Sequence, residues 1–115
     1  MDTRAVLDHQ YEAFSAGNAD EIAADFADDA VLIRADAVFS GRAAIRGAYQ
    51  EMFEGRFKPG SYELAVDAEH VVGEIAYIAW RASCATDELT LGTDTFVVRN
   101  GKIVAQTFTA KSEPK

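Results

Sequence analysis

A chain of 115 residues, 49% hydrophobic and 26% charged, is long enough to enclose one core and too short for two, so residues 1–115 are expected to form a single domain. Its formal charge of −8 sits almost wholly in the first 40 residues, where nine acids meet two bases; the other bases are scattered singly, which argues against nucleic acid as a partner. The start MDTRAVLDHQ lacks a basic and apolar leader, no apolar run nears the ~20 residues of a membrane helix, and the lone Cys84 cannot form an internal disulfide, so the expected setting is the cytoplasm, with no membrane partner.

From Thr3 to about Ala16, Val6, Leu7, Tyr11 and Phe14 recur at three- and four-residue spacing, which predicts an amphipathic helix stopped by Gly17. Asn18 is placed to cap a second helix, with Glu21 three residues on, that continues through Ile22 and Phe26 to the ADDA segment. The β-branched run Val31 to Arg34 predicts a strand leading into a loop or short hairpin. Ser40 is the start signal of a third helix carrying Ile45, Tyr49, Met52 and Phe53 on one face and ended by Pro59 and Gly60. Four strands follow, about Ser61 to Val72, Glu74 to Ala85, Leu89 to Val98 and Lys102 to Ala110, and the final KSEPK is expected to be disordered. Helices first and an antiparallel meander after make an α+β fold with the helices on one face of a curved sheet.

Strand alternation sorts the side chains. In the third predicted strand Ile75, Tyr77 and Ala79 share one face and Ala76, Ile78, Trp80 and Ala82 the other, so both faces need cover. In GTDTFVVRNGKIVAQTF, Asp94 shares the greasier face with Phe96 and Val98. A buried carboxylate is costly unless it is paired, neutral, or facing a cavity that holds something. Asn100-Gly101 leaves two registers open: a type I′ turn sets Asp94 opposite Thr107, and a three-residue bulged loop, the favoured one, sets it opposite Gln106.

The element order, together with FSAGNADEIAADFADDAVL, SGRAAIRGAY and GTDTFVVRNGKIVAQTF, resembles the nuclear transport factor 2-like superfamily in its SnoaL-like and ketosteroid-isomerase-like branch. The resemblance implies a cystatin-like cone, three helices closing a strongly curved antiparallel sheet over an apolar cavity, and a homodimer joined through the outer sheet face. It places the three ketosteroid isomerase positions at Arg34, Gln10 and Asp94, of which only Asp94 matches. Arginine cannot take a proton from carbon, and an amide lacks the acidity of a phenol, so steroid isomerisation by the usual mechanism is disfavoured. Asp36 is a displaced candidate base.

Asp94 keeps two readings, a general acid held neutral by an apolar cavity, or the partner of Arg34 in an ion pair that orders the interior or clamps a polar ligand. Catalysis, if present, is expected to rest on Asp94 with Arg34 as charge stabiliser and to need no cofactor: proton transfer next to a carbonyl, as isomerisation or cyclisation. The ligand is expected to be small, apolar or carbonyl-containing, in a cavity lined by Gln10, Phe14, Tyr49, Trp80, Gln106 and Phe108. For Tyr49 and Trp80, aromatic residues at such spacings are more often core than ligand contacts. His9 is a candidate at the cavity mouth. It is far in sequence from His70, so no metal site is expected, and the phosphate-loop, dinucleotide and Ser-His-Asp patterns are missing. The rival class is a non-catalytic ligand carrier or association module.

Overall fold

The computed structural model describes residues 1–115. Three helices, α1 (Thr3–Ala16), α2 (Ala19–Ala24) and α3 (Arg42–Glu54), cover one face of a six-stranded sheet. The strands are β1 (Phe26–Arg34), β2 (Ala37–Ser40), β3 (Glu63–Val72), β4 (Ile75–Ser83), β5 (Asp87–Arg99) and β6 (Lys102–Pro114), in spatial order β2-β1-β6-β5-β4-β3. The α+β reading holds, with one change to the sheet: β1 lies parallel to β6, so the sheet is mixed.

The expected caps form where the backbone needs them. Gly17 takes the left-handed conformation at φ 64° and ends α1, and the Asn18 side chain accepts from Glu21 N at 3.0 Å to start α2. Four boundaries differ, the first being the end of α3, which stops at Glu54 with Gly55 as its C-cap, its N–H on Met52 O, and does not run on to Pro59 and Gly60. The second helix stops at Ala24 because the backbone of Asp25 accepts from Ile103 N at 2.7 Å and Phe26 pairs with Ile103, which draws the ADDA segment into β1. Ser40 ends β2 instead of capping α3; Gly41, at φ 92°, holds the cap position with its N–H on Ala30 O. The C-terminal segment is ordered as strand, since β5 begins at Asp87 and gives Ser112 to Pro114 backbone to pair with.

Bulges bend the sheet. The register slips by one residue at Asp67 in β3, near Thr90 in β5 and at Val104 in β6, each adding local twist to neighbouring strands. The resulting cone wraps a core with Phe26, Leu32, Ile45 and Ile103 fully buried at its closed end.

The hairpin joining β5 and β6 corrects the expected register. Asn100 at φ 53° and Gly101 at φ 77° form a two-residue turn of the type I′ class, with Arg99 opposite Lys102. The extra residue enters later, at Val104, so Asp94 stands opposite Phe108 and Phe96 opposite Gln106. Both proposed registers are wrong, yet Gln106 and Phe108 face inward as expected, because the bulge restores the parity that the tight turn alone would have reversed.

Candidate functional site

Between α1, the end of α3 and the inner faces of β3 to β6 lies a cavity of about 390 Å³, with 14 of its 19 lining residues hydrophobic. Its volume is within the ~300–1,000 Å³ of small-molecule sites. Exposed Ser15, Gly60, Leu64 and Val66 stand at one end, which makes that end the mouth. Phe14 lies at the centre of the aromatic wall, edge-on to Phe53 at 5.1 Å, Phe57 at 5.4 Å and Tyr62 at 6.2 Å between ring centroids.

Asp94 is the only carboxylate in that wall, and it is 8% exposed. Strand alternation puts it on the inner face between Gly92 and Phe96, and its neighbours come from two adjoining strands. Trp80 is directly opposite Gly92, and with no side chain in the way its indole lies over the glycine and donates from Nε1 to Asp94 Oδ1 at 2.7 Å. Gln106 donates from Nε2 to Oδ2 at 2.8 Å. Its Oε1 accepts in turn from the Tyr49 hydroxyl at 2.9 Å, so α3, β6, β5 and β4 are joined by one buried chain of hydrogen bonds. Burial pushes the Asp94 carboxyl up to about 6, against the two donors, which pull it down. Burial and the nearby Asp94 likewise raise the Tyr49 phenol well above its ordinary range, so it stays a neutral donor.

Of the predicted site residues, Asp94, Gln10, Phe14, Tyr49, Trp80, Gln106 and Phe108 all line the cavity. Arg34 does not. It ends β1 with its guanidinium 2.8 Å from Asp36 and stacked 5.0 Å over Phe39, so the expected pair with Asp94 is not formed. The cause is local: a carboxylate two residues away, across a tight turn, captures the arginine first. The same contact holds the Asp36 carboxyl below its usual range on an exposed loop, which removes it as a candidate base inside the cavity.

Gln10 is turned from donor to acceptor. Its amide hydrogens go to Ile22 O at 3.1 Å and Asp25 Oδ2 at 2.8 Å, leaving Oε1 buried without a partner. Asp25 also meets His9 Nδ1 at 2.5 Å, and His9 Nε2 is 3.0 Å from Glu21. The bond to Asp25 raises the His9 pKa against desolvation, so His9 clasps α1 to α2 and does not stand at the mouth.

Sequence reasoning missed Tyr11 and Tyr62. Tyr11 faces the cavity while its hydroxyl donates to Glu69 at 2.6 Å, and Arg4 binds the same carboxylate. Glu69 faces inward only because the bulge at Asp67 shifts the alternation of β3, and no residue type in the segment announces that shift. The strand expected from about Ser61 includes Tyr62, but β3 begins at Glu63 and leaves Tyr62 in the loop before it, outside the alternation. A flag was available for both: each is an aromatic with a polar tip beside an apolar segment.

The family model described as a SnoaL-like domain matches residues 7–106, and the chain belongs to that family. None of the curated proteins is similar enough in sequence to match. Among solved structures, a candidate ketosteroid isomerase from Kribbella flavida is 21% identical with a TM-score of 0.79, over 98% of this chain and 80% of that one. A candidate polyketide cyclase from Sinorhizobium meliloti is 20% identical with a TM-score of 0.78, over 90% and 93% of the two chains. A nuclear transport factor 2-like protein of unknown function from Burkholderia xenovorans is 21% identical with a TM-score of 0.77, over 95% and 82%. Such likeness shows the nuclear transport factor 2-like cone and leaves the chemistry to the site.

Proposed function

We propose that this SnoaL-like domain binds a small, largely apolar carbonyl compound in the cone and isomerises or cyclises it without a cofactor, with Asp94 moving the proton. The supporting observation is a single carboxylate in an apolar cavity, raised to about 6 and fixed by Trp80 and Gln106. Near neutral pH such a group is ionised and can take a proton from the carbon beside a carbonyl; once protonated, it returns that proton to another carbon of the same enolate. The cycle is redox-neutral and regenerates the carboxylate. Arg34, paired with Asp36, has no part in it.

A panel of enolisable cyclic ketones, followed by deuterium exchange at the carbon beside the carbonyl, tests this reading. Exchange should rise with pH through about 6, as Asp94 ionises. Asp94→Asn should lower it by at least ~100-fold, the usual scale for a removed general base. The fold should survive, because the Gln106 amide can turn over, accept from the new amide and donate to Tyr49. Exchange that persists undiminished in the variant would refute the catalytic role.

One observation favours a carrier as the second reading: both Asp94 oxygens already accept hydrogen bonds from the protein, which serves a fixed wall as well as a base. A carrier would keep its ligand affinity in Asp94→Asn and show no exchange in either form.

The outer sheet face supports a homodimer. Alternation and pairing put Ile33, Val38, Val72 and Ile75 on that side, between 44% and 73% exposed. A second copy of the chain is the proposed cover.

A further inference from the structure

Almost every polar group in the cavity wall is spent within the protein. The Tyr11 hydroxyl is given to Glu69, Tyr49 to Gln106, the Trp80 indole N–H and the Gln106 amide to Asp94, and both Gln10 amide hydrogens to Ile22 and Asp25. The Gln10 Oε1 that remains is an acceptor, useless to a carbonyl oxygen. Ser15 is exposed at the mouth. Tyr62 is the exception: half-buried and lining the cavity, it has a hydroxyl that meets no protein donor or acceptor. Its ring is fixed edge-on against Phe57 at 5.2 Å and Phe14 at 6.2 Å, and Phe57 in turn packs edge-on against Trp80 at 6.1 Å, so the phenol stands one ring removed from the indole that holds Asp94.

We propose that Tyr62 is the specificity-determining donor of this cavity, its hydroxyl binding the carbonyl or enolate oxygen of an otherwise apolar ligand. The inference rests on the cavity-binding reading above and adds the ligand's polarity: a hydrogen-bond acceptor at the Tyr62 end and carbon elsewhere. Burial raises the phenol pKa, so it remains a neutral donor through the neutral range.

The test compares 1-tetralone with tetralin, two bicyclic probes alike in shape and differing by one carbonyl oxygen. Calorimetry on the wild-type protein should give roughly tenfold tighter binding of the ketone, the scale of one hydrogen bond in a desolvated site. Tyr62→Phe should abolish that preference and leave tetralin affinity unchanged. The carbonyl-carbon NMR signal of bound tetralone should lie downfield of its position in an apolar solvent and return upfield in Tyr62→Phe; in wild type this readout does not depend on any variant folding. Equal loss of both probes in Tyr62→Phe would show a packing role and overturn the proposal, as would a ketone preference that survives it. Tetralin binding as tightly as tetralone to wild type overturns the donor and leaves the apolar cavity standing. Failure of both probes to bind overturns the cavity-binding reading as well.

Discussion

Gly92 and Trp80 make Asp94 possible. A Cβ at position 92 would come within 2.2 Å of the Trp80 indole, in the body of a rigid ring that has no room to yield. Gly92→Ala should therefore destabilise the fold by about 1–3 kcal/mol, as overpacking does. It should also move the indole off Asp94 Oδ1, and since that bond lowers the carboxyl pKa, its loss should raise the pKa further. Chemical denaturation reads the first effect and a carboxyl titration the second; a variant of wild-type stability with an unmoved titration would mean that the indole is not held where the structure places it. Alternation made it legible that Asp94 faces inward with Phe96 and Val98. Trp80 and Gln106 were legible as wall neighbours, but their hydrogen bonds to Asp94 were not, because these depend on registers that residue types do not encode. The Arg34–Asp94 pair is absent for a plainer reason: the nearest carboxylate in the chain, Asp36, is the arginine's own partner.

At the scale of elements, the long periodic segments were readable and the joints between them were not. α1 and the inner face of β4 follow from spacing alone, since nothing in the tertiary structure competes with them. The end of α2 was misread because Asp25 and Phe26 have a strand partner, Ile103, 77 positions after Phe26, and that pairing outweighs the local preference of ADDA for helix. The hairpin of β5 and β6 shows the same limit from the other side. Asn100-Gly101 does announce a tight turn, but the inward positions Ile103 and Gln106 are three apart, which a regular strand forbids and a bulge at Val104 allows. Bulges in β3, β5 and β6 bend the sheet far enough to leave a cavity, and the one in β3 turns Glu69 inward to take Tyr11. The sheet curvature and the wall chemistry thus have one cause.

Over the whole molecule, the two faces of the sheet are used differently. The inner face closes on the helices and the cavity, and the outer face carries exposed Ile33, Val38, Val72 and Ile75 around half-buried Tyr77, Ala79 and Val97. With a net charge of −8, much of it on the helical N-terminal part, like charge disfavours contact between the helices of two copies, and the outer sheet face is the apolar surface proposed for the homodimer. Light scattering coupled to size exclusion should give a dimer near twice 12.5 kDa, and Ile75→Lys should shift it to monomer without unfolding it. A wild-type monomer at tens of micromolar, or a dimer indifferent to the substitution, would put the interface elsewhere or nowhere. The need for cover on both faces was visible in β4 from alternation alone; the identity of the cover was not, since apolar exposure has no partner written into it.

The proposed chemistry rests on the state of Asp94, and a carboxyl-carbon NMR titration of the folded protein measures it, with Asp94→Asn to assign the signal. An unperturbed aspartate titrates near ~3.9. The structure predicts a value raised to about 6 by burial in an apolar wall, with the wild-type protein losing stability relative to the variant as pH rises from about 4 to 6, because the unfolded chain ionises in that window before the folded one does. A titration at or below the ordinary aspartate range would mean a solvated or ion-paired carboxylate, and would contradict both the apolar site and the proton-transfer chemistry proposed for it.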